Sequence, residues 1–309
     1  MSQPWTAEFY VDQKLACKLI EEQFPELSPA TVIFCGEGWD NTAYQVNNEY
    51  LFRFPRRQFG ANCVPAETQL LPFLATQLPL QIPNPIFIGK PTAEYQWPFL
   101  GYRYLKGQDA CAAHLTMQER AHLAAPLAQF LKALHAIPVE QVENLGAQRD
   151  RIRKLDIQFR YPQAIEHLHY IEQHKLFDDC STLLTLLNSL KELRKDEIVT
   201  IVHSDLYARH LLVNQHRQLS GIIDWGDLQI DHPASDLSIV FTLLPIDSHH
   251  TFFEIYGTIS DHTKQLMLFN ALRHTTAITV FAHSIGDADL LSEMLIALQL
   301  ITILAKEYL

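Results

Sequence analysis

Two short apolar runs late in the chain constrain its fold more than any other feature: LLV at 211–213 and LSGII at 219–223, joined by the polar, turn-like NQHRQ. Short runs of this kind with a turn between them pair as an antiparallel hairpin. A polar loop containing Asp205 and His210 enters the first run, and Asp224 closes the second. The hairpin therefore gathers Asp205, His210 and Asp224 at one end. Two carboxylates held there can divide the labour of phosphoryl transfer, one acting on the attacking hydroxyl and the other holding a metal. Mg²⁺ takes oxygen ligands and leaves several positions to water and phosphate, so one or two protein carboxylates suffice. Turn capping is the ordinary use of aspartate and is the competing reading for each acid taken singly.

The remainder of the chain is organised around that unit. TVIFCGEGWDNTAYQV (31–46) and NEYLFRFP (48–55) predict two or three strands, with Asn47-Asn48 as a turn. PAETQLLPFLATQL (65–78) predicts a helix opened by Pro65 and kinked or shortened at Pro72. WPFLGYRYLKG (97–107) predicts a further strand that leaves through a short connector near Gly107. Beyond it helices take over. Thr116 with Glu119 is a capping-box pattern, and Leu123, Leu127, Phe130, Leu131 and Leu134 follow at helical spacing until Pro138. The expected architecture is α+β and two-lobed: a β-rich lobe over 1–102, a hinge at 103–107 and a larger, mostly helical lobe over 108–309.

Composition narrows the partners. With 24 basic and 35 acidic residues the formal net charge is −11, which disfavours nucleic acid and anionic membranes and suits a cationic substrate. The five cysteines (Cys17, Cys35, Cys63, Cys111, Cys180) show no paired spacing, so a reducing cytoplasm is expected. No basic start leads into an apolar core, which argues against a signal peptide. MLIALQLITILAKEYL reads as a buried C-terminal helix, too short and too interrupted to span a bilayer.

The segment VHSDLYARHLLV…GIIDWGDLQIDHPASDLS resembles the catalytic segment of the aminoglycoside phosphotransferase family, small-molecule kinases with a protein-kinase-like fold. The likeness is dense over 200–241 and looser over most of the chain. It implies that Asp205 is the catalytic aspartate, that Asp224 is the main Mg²⁺ ligand, and that His203 and Asp236 brace the catalytic loop. His210 stands where most members have asparagine, and macrolide-phosphorylating members resemble this sequence in having histidine there. Imidazole offers a metal only nitrogen, which suits Mn²⁺ better than Mg²⁺. His210 is therefore expected beside the metal.

The same resemblance assigns the nucleotide site. Alternation in YLFRFP puts Phe52 and Phe54 on one face and Arg53 on the other, where the family's lysine reaches the phosphates of ATP or GTP. Glu67 shares a helical face with Leu70, Leu71 and Leu74, so an ion pair with Arg53 is expected to satisfy it. GEGWDN (36–41) becomes a roof over the phosphates, with Gly36 in it and the N–H groups of Gly38 and its neighbours facing them. Tyr102, Tyr104 and Leu105 would hold the base through backbone groups. Asp227 and Asp231 are the substrate candidates, and the basic cluster Arg149, Arg151, Arg153, Lys154 reads as solvated surface. The expected activity is nucleotide-dependent phosphorylation of a small-molecule hydroxyl, with an aminoglycoside or macrolide antibiotic as acceptor. The alternatives are a degenerate kinase that only binds nucleotide, and a kinase for a non-antibiotic small alcohol.

Overall fold

A computed structural model describes residues 6–309. The expected first span of 1–102 therefore begins outside the described residues. The chain opens with α1 (Gln13–Gln23), capped by the Asp12 side chain, which accepts the Leu15 N–H at 2.7 Å. Then come β1 (Val32–Glu37), β2 (Asn41–Val46), β3 (Tyr50–Pro55), α2 (Gln58–Ala75), β4 (Pro85–Gly89) and β5 (Phe99–Arg103). The five strands form one antiparallel sheet in the order β1-β2-β3-β5-β4. Asn47 and Asn48 both take the left-handed conformation, φ +53° and +56°, which is the turn chemistry a tight β2–β3 hairpin requires. One sheet face buries an aromatic cluster in which Phe54 stacks on Phe99 at 4.5 Å and Phe24 meets Phe87 edge-on at 5.0 Å.

Helix α2 begins at Gln58, earlier than the expected opening at Pro65, and contains both Pro65 and Pro72. Each proline removes one intrahelical hydrogen bond. Tertiary packing holds the helix through them, because Ala61, Val64, Leu70, Leu71 and Leu74 are all buried. At the helix start a Cβ on Gly60 would meet the Asp40 carbonyl oxygen at 2.7 Å, so only glycine permits this approach of α2 to the β1–β2 loop.

After β6 (Gln108–Asp109) the chain is mainly helical: α3 (Met117–His122), α4 (Ala124–His135), α5 (Val139–Asn144), α6 (Ile157–Gln173) and α7 (Cys180–Ser189). The Thr116–Glu119 capping box forms as expected. Short strands β7 (Thr200–Val202), β8 (Leu211–Val213), β9 (Leu219–Ile222) and β10 (Gln229–Asp231) interrupt the helices. β8 and β9 make the expected antiparallel hairpin, with β6 added alongside, while β7 pairs with β10. The chain ends in α8 (Ala234–Leu237), α9 (Ile239–Leu243), α10 (His249–Tyr256), α11 (Asp261–Ile285) and α12 (Ala288–Tyr308). A second core runs through these helices and includes the leucines of α2.

Contrary to expectation, α12 is long and apolar enough by length and composition to cross a membrane, with 21 residues and a mean hydropathy of 1.8. Half of its apolar stretch is buried, and α12 packs on α9 and α11. Its Glu293 forms a two-pronged ion pair with buried Arg120, with both N···O distances 2.6 Å. Such a helix belongs to a core.

Candidate active site

The loop after β7 is held from below by Asp236 on α8. Its carboxylate accepts the backbone N–H of His203 at 2.8 Å and that of Ser204 at 2.7 Å. Ser204 is thereby kept at φ +74°, a conformation uncommon outside glycine. His203 Nε2 lies 2.9 Å from the Ile223 carbonyl and its Nδ1 accepts the Asp205 N–H at 3.2 Å, which assigns the Nε2–H tautomer. Burial keeps this imidazole from protonating, against the pull of Asp236. The catalytic-loop candidate and the strand leading to Asp224 are thus bolted together through one neutral ring.

The two oxygens of Asp205 face different partners. Oδ1 receives Lys154 Nζ at 2.8 Å and lies 3.2 Å from His274 Nε2, while Oδ2 lies 3.6 Å from His210 Nδ1. Burial would push this carboxyl up, but Lys154, His274 and His210 together hold it well below the usual carboxylate range. His210 Nδ1 donates to the Asp205 backbone carbonyl at 2.7 Å, so the proton sits on Nδ1 and the Nε2 lone pair is free. That Nε2 lies 3.4 Å from Asp224 Oδ2. Asp224 itself sits at φ +62°, with half its side chain exposed. A left-handed aspartate between a buried hairpin and solvent is the kind of strained position that clusters at functional sites.

Arg53 on β3 and Glu67 on α2 pair at 3.1 Å, both buried. Burial pushes the Glu67 carboxyl up and Arg53 opposes it; for Arg53, burial is outweighed by Glu67, with Tyr102 and Asp224 adding to it, so the guanidinium stays charged. Arg53 Nη1 is buried without a hydrogen-bond partner. Gly226 lies between the two acids: a Cβ there would be 3.8 Å from Asp224 Oδ1 and 4.0 Å from Glu67 Oε1. Arg53, Glu67 and Asp224 are therefore neighbours.

Other expected positions fall differently. Gly36 is at φ +137° within β1, paired with Ala43 where the register shifts, but the Gly38 N–H donates to the Asn41 carbonyl at 2.9 Å. That donor closes the hairpin and cannot face a phosphate, which corrects the expectation for Gly38. The turn is tied down by Arg56 to Glu37 at 2.6 Å and by Arg57 to Asp40 at 3.0 Å, and its Trp39 packs edge-on against Phe281 of α11 at 5.2 Å. Tyr102 lies inside the sheet, paired with Leu51 of β3 and Pro85 of β4, and its side chain faces Arg53, so its backbone is not free as expected. The Tyr104 N–H is taken by the Glu49 carbonyl at 2.8 Å, leaving Leu105 as the first residue of the connector beyond that contact.

Asp227 joins the site, because Lys154 bridges it (2.8 Å) to Asp205. Asp231 does not. Its side chain is fully buried and bound by Lys195 at 2.7 Å, so it is a brace beneath β10 and not a substrate contact. Lys154 is a further correction: it is 5% exposed and lies between Asp205 and Asp227, not on solvated surface. Sequence reasoning also missed His274, which α11 delivers from far along the chain. Nothing in the local pattern around either residue marks it, since each is singled out only by a contact across the fold. Among the described residues no group of three or more His, Cys, Asp or Glu side chains forms a metal cage.

A family model described as the phosphotransferase enzyme family matches residues 31–266. The chain belongs to this family. Among solved structures, this phosphotransferase is similar to the GDP complex of aminoglycoside 2′-phosphotransferase-IIIa, with 26% identity, a TM-score of 0.69, and coverage of 97% of this chain and 100% of that one. A complex of APH(2″)-IIIa with GDP and kanamycin is 27% identical, with a TM-score of 0.66 over 94% of this chain and 98% of that one. A macrolide 2′-phosphotransferase type I shares the fold at 16% identity, with a TM-score of 0.58 over 94% and 97%. The phosphotransferase fold is kinase-like, with a β-sheet N-terminal region and a helical C-terminal region.

Proposed function

We propose that this phosphotransferase moves the γ-phosphate of ATP or GTP to a hydroxyl of a small molecule. The observation that carries the reading is the single imidazole of His210, with the Asp205 carboxylate 3.6 Å from Nδ1 and the Asp224 carboxylate 3.4 Å from Nε2. This supports reading one carboxylate as orienting the nucleophile and the other as holding the metal. Asp205, held ionised, orients the acceptor hydroxyl and receives its proton late, which fits a transfer whose transition state makes little demand on a strong base. The buried Arg53 guanidinium, beside Glu67 and in the field of Asp224, is the phosphate contact. Leu105, with Tyr104, offers the connector to the base, residues 103–107 serve as the hinge between lobes at 1–102 and 108–309, and Gly36 keeps the turn close above the nucleotide.

The donor set suits Mg²⁺: one half-exposed carboxylate, Asp224, with no protein cage, leaves positions for water and nucleotide oxygens. The ion would neutralise charge on the transferred phosphoryl group. The free Nε2 of His210 beside Asp224 is a second ligand and supports tolerance of Mn²⁺.

The names of the similar solved structures make aminoglycosides and macrolides the first acceptors to try. Transfer from radiolabelled ATP and GTP across a panel of hydroxyl compounds is the direct test. Asp205→Asn is expected to abolish turnover while sparing nucleotide binding, and Asp224→Asn to lose metal-dependent nucleotide binding as well. Nucleotide binding with no transfer to any compound would favour the degenerate, binding-only module.

A further inference from the structure

Every buried cation described so far meets a carboxylate. Arg120 has Glu293, Arg53 has Glu67, and Lys154 has Asp205 and Asp227. Two arginines in the charge field of Asp227, one of them also in that of Asp205, break this pattern: Arg273, which is buried, and Arg160, which is half-buried. Arg273 precedes His274 on α11 and is 7% exposed. Its Nε and Nη2 both donate to one neutral acceptor, Asn270 Oδ1, at 3.2 and 2.8 Å. Arg160 on the neighbouring helix α6 donates only to the Arg153 carbonyl at 3.1 Å, Gln163 Oε1 at 3.0 Å and the Ile152 carbonyl at 2.5 Å. Among the described residues no carboxylate oxygen lies within 4.0 Å of either guanidinium.

A buried cation without a counter-ion is costly, and a half-buried like charge that repels it adds to that cost. Burial first and Arg160 second press the Arg273 pKa down to about 9, with Asp205 and Asp227 opposing; Arg160 is lowered by burial and by Arg153. His167, also on α6, adds a buried Nδ1 with no partner, and Arg273 disfavours its protonation after burial does. The surface that meets Asp205 from this side is thus basic and undersupplied with negative charge, in a chain whose net charge is −11. The Asp205 oxygen on this side is also not the one turned to Asp224: Oδ2 lies against His210, whose other nitrogen faces Asp224, whereas Lys154 and His274 lie on Oδ1.

We propose that the acceptor alcohol carries an anionic group, a carboxylate or a phosphate monoester, which binds Arg273 and Arg160 while its hydroxyl meets Asp205. This inference rests on the kinase reading and narrows its acceptor, away from polycations. In the reaction the acceptor oxygen forms a bond to the γ-phosphorus as the bond to the nucleoside diphosphate breaks, and the hydroxyl proton leaves by way of Asp205. A guanidinium fork matches either anion in a two-pronged geometry.

Binding and turnover test it separately. Melting of the holo-protein is followed with millimolar inorganic phosphate or acetate, against sodium chloride of equal ionic strength. One of the two anions is expected to raise the wild-type melting point, showing which source the site prefers. Its affinity should fall at least tenfold in Arg160→Gln and in Arg273→Met, with nucleotide affinity unchanged. Removing an unpaired charge should leave the melting point of anion-free Arg273→Met equal or higher; the more exposed Arg160→Gln carries the test should the α11 variant not fold. In turnover, glucose 6-phosphate or gluconate should exceed glucose and kanamycin in kcat/KM. Neither anion stabilising the wild type, equal stabilisation of the variants, a loss of nucleotide affinity in them, or a preference for kanamycin that Arg160→Gln leaves intact would each overturn the proposal. Anion binding through Arg273 with no transfer from ATP or GTP would instead sink the kinase reading and leave the anion site standing.

Discussion

Lys154 Nζ lies 2.8 Å from Oδ1 of Asp205, across 51 residues of chain. The same ammonium donates to the Ser204 carbonyl at 2.8 Å and reaches Asp227. Burial would lower its pKa, but Asp205 and Asp227 outweigh burial and keep it charged. Lys154 therefore helps keep Asp205 ionised. Lys154→Met should lower kcat by about 10²-fold, the scale of losing one oriented charge at a reacting centre. The sign for pH follows from the same contact: without the cation the Asp205 carboxyl rises, so activity on the acid side should fail at a higher pH than in the wild type. A pH–rate profile whose acid limb stays in place would make Lys154 merely structural.

His210 should govern metal choice. Its Nδ1–H is spent on the Asp205 carbonyl and its Nε2 faces Asp224, so an asparagine there would exchange a nitrogen ligand for an oxygen. We expect His210→Asn to raise the ratio of Mg²⁺- to Mn²⁺-supported activity several-fold. Steady-state rates titrated with each metal decide it, and an unchanged ratio would leave His210 as a strut of the loop.

Arg53 and Glu67 should behave as one unit. Alanine at either position should weaken nucleotide binding. The double mutant should lose less than the sum, by about 0.5–3 kcal/mol of coupling. Calorimetric nucleotide affinities around the cycle measure it. Strict additivity would move the phosphate contact to another cation, with Arg56 and Arg57 next in line.

The Arg120–Glu293 pair tests the core against the site. Glu293→Gln leaves a buried guanidinium uncompensated and should cost about 3–5 kcal/mol of stability with no change in KM. Replacing both, Arg120→Met with Glu293→Leu, should recover most of that loss. Urea unfolding midpoints at constant m-value report both changes.

What the sequence determined by itself is whatever depends on near neighbours. The β8–β9 hairpin and the meeting of Asp205, His210 and Asp224 follow from two apolar runs and a turn. The Arg53–Glu67 pair follows from a period of two in a strand and of 3.6 in a helix, each of which hides one charge that only the other can satisfy. The Thr116–Glu119 box is local in the same way. Tertiary structure decided the rest. Gly38 had a plausible N–H until the hairpin claimed it, and Pro65 looked like a helix start until buried residues before it carried α2 through. Asp227 and Asp231 are alike in sequence, but pairing of β10 with β7 turns Asp231 inward to Lys195 while Asp227 reaches Lys154. Lys154 and His274 meet Asp205 only when the segment before α6 and helix α11 come together beside its loop. A lysine or arginine carries no mark of its future partner, because the cost of burying its charge exists only once the fold has removed the water.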